Sequence, residues 1–291
     1  MNALRPTTLA ARLLAYVALY LLPIFVVGPL VIRLTGEVLG LTLMGLAAAI
    51  LTNSLSMRIF EGRRLVDIGL WWNHAAVRNL VIGLGGGVGS AAFVLCPPLV
   101  IGAARLQHVS GAGPTLWEIT FSAITVLLFG SAHEEMLFRG YGFQIVLRSI
   151  GAWATVLPVG IVFAALHAVN PNSTYLALAN TAGFGILFGY AFLRSRDLWL
   201  PIGLHFGWNF TLPLFGVNVS GLKIGMTGYS MQWSAGALWS GGEYGPEASI
   251  LTSMVLLGLF AYLWKAPVER QASPLLDPPA GDEICAPGTR E

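Results

Sequence analysis

Residues 117–147 read WEITFSAITVLLFGSAHEEMLFRGYGFQIVL, an apolar stretch that carries two adjacent glutamates and an arginine into its middle. At about 1.5 Å rise per residue a helix of this length exceeds the roughly 30 Å of bilayer hydrocarbon. Ionisable groups at that depth cost about 2.5–3.5 kcal/mol each on insertion scales, so they persist where they pair or serve a function. Glu135 and Arg139 are four residues apart and share one helix face. Glu134 points about 100° away, which leaves one carboxylate free of the pairing.

The rest of the chain agrees with a membrane setting. Of its 291 residues, 55% are hydrophobic and 10% charged, whereas soluble domains carry about 25% charged residues. Eight apolar stretches qualify as spans, at about 13–32, 38–57, 79–103, 117–147, 151–169, 174–193, 198–216 and 249–264. The first is too long, and lacks a small-residue cleavage site, to read as a removable signal. With the N-terminus inside, the cytoplasmic segments hold Arg5, Arg12, Arg58, Arg63, Arg64, Arg78, Arg139, Arg148, Arg194, Arg196, Lys265, Arg270 and Arg290. The outer segments hold only Arg33, Arg105 and Lys223. This bias predicts a multi-pass protein of the cytoplasmic membrane with both termini inside. The net charge of +2 gives no reason to expect nucleic acid. Cys96 and Cys285 exclude a disulfide framework and a Cys-rich metal site.

The expected organisation is all-α. N-terminal spans and a basic loop occupy 1–116, and a polar-containing core occupies 117–216. An outer loop (217–248) and last span reach 265, and 266–291, poor in apolar residues, reads as a disordered tail. The glycine run from Gly83 to Gly89 lies inside an apolar span without the following Lys-Ser/Thr of a phosphate loop, so it predicts close helix packing, as do Gly185 and Gly189.

Further polar residues gather in the core. His167 closes the fifth span, and His205 and Asn209 lie four apart on the seventh. Measured along ideal helices, Glu134 lies roughly 21 Å from Arg148 and His167 roughly 24 Å from Gly151, similar depths on antiparallel neighbours. His205 and Asn209 come out shallower, about 10–17 Å from Asp197, unless tilt or an unwound start near Pro201 closes the gap. A carboxylate and an imidazole can deprotonate a water, and a second imidazole and an amide can donate to an oxyanion. A zinc ion on Glu134, His167 and His205 is the other way to activate water. The His-Glu-x-x-His pattern is not met, because Leu137 stands where the second histidine belongs. The residues leave both schemes open.

The stretch from about Ser131 to Phe210 resembles the CAAX-protease and bacteriocin-processing family (CPBP, or Abi). Glu134, Glu135 and Arg139 meet its Glu-Glu-x-x-x-Arg motif. Phe163 and His167 meet Phe-x-x-x-His, and His205 and Asn209 meet His-x-x-x-Asn. The resemblance implies a conical helical core with an intramembrane cavity and a metalloprotease or glutamate-dependent protease. It implies that Glu134 and His167 activate water, His205 and Asn209 stabilise the oxyanion, and Glu135 and Arg139 support the site. The expected activity is endoproteolysis of a membrane-associated or lipidated protein or peptide reaching the cavity from the membrane or the cytoplasm. Two rivals are a non-catalytic immunity or binding protein of the same fold and a proton-coupled transporter. The latter expects repeat symmetry that the crowding of polar residues into one half does not show.

Overall fold

The computed structural model describes residues 4–109 and 115–277. It is an all-α membrane protein apart from one small sheet. Among the described residues, five helical stretches are long and apolar enough to cross a membrane: Pro6–Val26, Glu37–Glu61, His74–Val100, Leu116–Ile150 and Tyr175–Ser195. Shorter helices Ala152–His167, Trp199–Leu214 and Ile250–Lys265 fall where the remaining spans were expected. Large apolar side chains such as Phe93, Ile161 and Leu257 stand exposed on the periphery, as they do where lipid is the solvent.

The helices are α1 (Pro6–Val26), α2 (Gly28–Thr35), α3 (Glu37–Ser56), α4 (His74–Val100), α5 (Leu116–Ser122), α6 (Phe129–Arg139), α7 (Tyr141–Ile150), α8 (Ala152–His167), α9 (Tyr175–Ser195), α10 (Trp199–Leu214), α11 (Ala237–Ser240) and α12 (Ile250–Lys265). A π-helical segment, Ala123–Leu128, joins α5 to α6. The single span expected at 13–32 is instead two helices, because Pro29 has no amide to continue the ladder and starts α2 afresh.

Two pairings set the core. The glycine run of α4 packs on α10 backbone to backbone: a Cβ on Gly83 would strike the Leu200 carbonyl, and one on Gly87 the Leu204 carbonyl. A Cβ on Gly185 of α9 would lie 2.8 Å from the Gly160 Cα of α8. Small residues thus bring α10 and α8 close to their neighbours, as the sequence predicted.

The fourth span breaks at Gly140, between α6 and α7. Asn53 of α3 closes the break. Its Nδ2 donates to the Met136 carbonyl (3.1 Å) and its Oδ1 accepts from the Tyr141 amide (2.8 Å). The Tyr16 hydroxyl of α1 adds a bond to the Leu137 carbonyl (3.1 Å). In hydrocarbon these backbone groups have no water to turn to.

Two expectations are corrected. The outer segments are not all loop: β1 (Ala104–His108) pairs antiparallel with β2 (Tyr229–Trp233), from Ala104 opposite Trp233 to His108 opposite Tyr229. The partners are over a hundred residues apart, so no local hairpin signal announces them. The chain after Ala266 was expected to be disordered, yet it packs as far as Asp277. Gln271 donates to Asp197 (2.6 Å), the Glu269 carbonyl accepts from Asn79 (2.7 Å), and Leu275 is buried. The remainder of the tail, with Cys285, lies outside the described residues.

The α4–α10 contact makes a differential forecast. Gly87→Ala should destabilise the detergent-solubilised protein by about 1–3 kcal/mol through overpacking. Gly85→Ala, whose Cβ meets nothing within 4 Å, should leave the thermal midpoint unchanged. Equal midpoints for the two variants would refute the packing assignment.

Candidate active site

The site is assembled from α6, α8, α9 and α10, with Arg139 at its base. The guanidinium is fully buried at the C-terminal end of α6. It donates to Glu135 (3.2 Å) and to the Gly185 carbonyl of α9 (2.6 Å). Its carbon lies 5.7, 5.3 and 5.4 Å from the ring centroids of Phe138, Phe163 and Phe188. A delocalised cation among aromatic faces keeps favourable electrostatics without water. Glu135, also fully buried, has Arg139 on one side and the His205 Nδ1 on the other (2.9 Å).

These contacts fix both imidazoles. A carboxylate paired with arginine accepts, so His205 Nδ1 carries the proton and Nε2 is turned away from Glu135. His205 also stacks on Phe188, with centroids 4.7 Å apart and planes at 17°. His167 Nδ1 lies 2.7 Å from the Phe163 carbonyl, which can only accept, so this ring too presents Nε2 outward. Phe163 packs against both rings, at 4.6 and 6.2 Å.

The two Nε2 atoms converge on Glu134. Its Oε2 is 4.0 Å from His167 Nε2 and 3.9 Å from His205 Nε2, and makes no hydrogen bond among the described residues. The side chains of Glu134 and His167 remain 29% and 16% exposed, against 8% for His205, while Glu134 Oε2 itself is buried. Ligand atoms on a tetrahedral zinc are about 3.3–3.4 Å apart. The wider spacing here, with no group of three donors gathered for an ion among the described residues, does not fit zinc as the side chains stand. It fits a carboxylate and two imidazoles spaced around a water.

The sequence-predicted residues divide accordingly. Glu134, His167 and His205 meet, and Glu135 and Arg139 lie beneath them. Asn209 sits one turn beyond His205 on α10, partly exposed, with no side-chain hydrogen bond among the described residues. The shallow depth expected for His205 is corrected. Helix α10 is unbroken through Pro201, so unwinding does not close the gap. It begins below the surface, under a lid of backbone: the Leu198 amide donates to the Gly69 carbonyl (2.9 Å), and Asp197 is fully buried among Asn79, Gln271 and the Leu200 amide.

Two partners were not foreseen. His133, next to Glu134, meets the Tyr20 hydroxyl of α1 (2.6 Å) and fills the space that Gly45 of α3 leaves open. Glu247, in the outer loop, accepts from the Trp208 indole (3.2 Å) and from the Ser220 amide and hydroxyl. Burial raises its carboxyl above the ordinary range, against those donors. A missing side chain opposite a spanning histidine is a signal available in principle at Gly45. Nothing local marks Glu247.

A helical membrane protein with a buried carboxylate–imidazole cluster is the class that fold and site define. Residues 115–211, about a third of the chain, match the family described as type II CAAX prenyl endopeptidase Rce1-like. The matched segment contains every residue of the cluster. No curated protein matches the chain.

The Arg139–Glu135 pair gives a stability forecast. Arg139→Met strands the Glu135 carboxylate and should cost about 3–5 kcal/mol. The double variant Arg139→Met with Glu135→Gln should recover part of that loss. A double variant no more stable than the single one would count against a buried ion pair.

Proposed function

We propose that this protein is an intramembrane endopeptidase of the CAAX type that hydrolyses a peptide bond of a membrane-associated polypeptide. The observation that carries the reading is the convergence of Glu134 Oε2 with the Nε2 atoms of His167 and His205, both Nδ1 atoms being engaged elsewhere.

Three acceptors face one space, and a water brings only two protons. The third proton is carried on His205 Nε2, and Glu134 and Glu135 together balance the imidazolium and the Arg139 guanidinium. A water held by Glu134 and His167 gives a proton to Glu134 as its oxygen attacks the carbonyl carbon. The carbonyl oxygen becomes an oxyanion. It accepts from His205 Nε2–H and from the Asn209 amide, which is unencumbered and one turn away. The proton on Glu134 passes to the leaving nitrogen, the C–N bond breaks, and a carboxylic acid and an amine leave. Lipidation of the substrate is compatible with a site inside a bilayer.

The test is turnover of a panel of lipidated and unlipidated peptides by purified protein, with zinc content measured on the same samples. Glu134→Gln should lower kcat by about 10²–10⁴-fold, and Asn209→Ala by about 10²–10³-fold with KM little changed. Full activity in Glu134→Gln would end the base assignment. Stoichiometric zinc in the wild type that Glu134→Ala and His205→Ala both lose would replace the side-chain scheme with a metal one.

A further inference from the structure

Helix α3 does not simply stop at Ser56. It runs on as a π-helical turn, Met57–Glu61, and reverses at Gly62, whose φ of 64° is left-handed. The reversal brings the next residues back beside the helix end, where the Arg63 amide donates to the Met57 carbonyl (3.0 Å). The result is an open depression of about 460 Å³ lined by Ser54, Arg58, Gly62, Arg63, Arg64 and Leu65. Half of these residues are arginines, and none is a carboxylate.

The nearby acids are engaged elsewhere. Glu61 pairs with Arg12 and Arg148, and Asp67 accepts from the Arg64 amide (3.0 Å). Among the described residues Arg58, Arg63 and Arg64 enter no ion pair, whereas Arg12, Arg148, Arg78 and Arg270 at the same end of the molecule all do. The Arg64 guanidinium carbon lies 5.1 Å from the Trp71 ring centroid, and the Trp71 carbonyl accepts from the Trp199 indole (3.0 Å). A guanidinium stacked by its face keeps its in-plane N–H groups for an acceptor. Three like charges around one hollow are relieved by an anion between them. Guanidinium forks match the oxygens of a phosphate bidentately, and Ser54 adds a hydroxyl.

The hollow also lies where a lipid headgroup would. It caps Glu37–Glu61, a stretch long and apolar enough to cross a membrane. Ile50, Ser54 and Arg58 follow one another at steps of four residues along one flank of α3. Ile50, Leu51 and Ile59 are 40%, 43% and 63% exposed, so an apolar strip leads from the arginines into the hydrocarbon. Trp71 and Trp72 stand exposed beside Arg64, with Trp72 edge-on to Trp199 at 4.8 Å, as indoles do at headgroup level.

We infer that this hollow binds the phosphate group of an anionic phospholipid, whose acyl chains lie along the Ile50–Ile59 flank of α3. A free phosphate shares the headgroup chemistry, but it makes no use of the apolar strip. The inference is independent of the peptidase reading.

The test uses delipidated full-length protein in a neutral detergent. Bound species are counted by native mass spectrometry while dioleoylphosphatidylglycerol, dioleoylphosphatidylcholine or inorganic phosphate is titrated in. Phosphatidylglycerol should bind roughly tenfold tighter than phosphatidylcholine, or more. The triple variant Arg58→Gln, Arg63→Gln, Arg64→Gln should lose that preference. The charge-matched triple Arg33→Gln, Arg105→Gln, Lys223→Gln should keep it. If the first triple does not fold, Arg58→Gln alone, at an exposed position, should weaken phosphatidylglycerol binding about fivefold. Equal affinity for the two lipids, equal losses in the two triples, or an unchanged affinity in the single variant would overturn the site. Inorganic phosphate that binds as tightly as phosphatidylglycerol and displaces it would overturn the lipid assignment in favour of a free anion.

Discussion

A single buried cation organises this molecule. Arg139 cannot be deprotonated under ordinary conditions, and hydrocarbon offers it no water. Each of its neighbours is therefore constrained: Glu135 must be ionised and adjacent, the Gly185 carbonyl must be turned towards it, and Phe138, Phe163 and Phe188 must present their faces. Those constraints pull α6, α8 and α9 together, and Glu135 then captures His205 from α10. Losing one partner leaves an uncompensated charge, so the four helices hold one arrangement rather than sliding past one another.

The adjacency of Glu134 and Glu135 is intelligible on the same ground. Successive helix residues point about 100° apart. One carboxylate faces the arginine and is consumed in structure, while the next faces the space between α8 and α10 and stays free. Glu135 does not touch the space where water would sit, yet it decides which His205 nitrogen faces that space. It is a positioning residue, and Phe163 and Phe188 are others, since they clamp the ring planes. His133 and Tyr20 extend the support into α1, outside the segment that matches the Rce1-like family.

Much of this was legible in the sequence because the governing rules are local. Apolar run length located the helical segments, the i, i+4 spacing paired Glu135 with Arg139, and glycine spacing marked where helices touch. What escaped depends on contacts distant in sequence. Asn53 is one polar residue in an apolar run, and only the folded chain brings it to the break at Gly140, 87 positions away. The depth of His205 was misjudged because Asp197 was taken as the membrane surface, whereas Asn79 and Gln271, from far along the chain, bury it. The 266–277 segment looked disordered because it has little apolar content, yet Leu275 is buried with Val268 and Leu276 packed on the core, and polar caps hold the rest.

The two ends of the site are asymmetric for a physical reason. On the peptidase reading proposed above, the scissile bond must meet water, but the Arg139–Glu135 pair must not, because hydration of that pair would release the hold on His205. A plug on one side and loops on the other satisfy both requirements at once. The plug is built of large buried aromatic and aliphatic side chains, and its backbone break is sealed by Asn53 and Tyr16. The loop side is tied by Asn170 donating to the Ser220 carbonyl, by Ser220 and Trp208 donating to Glu247, and by Met226 packed on Phe206 and Phe210. Such a loop can open locally at less cost than the core.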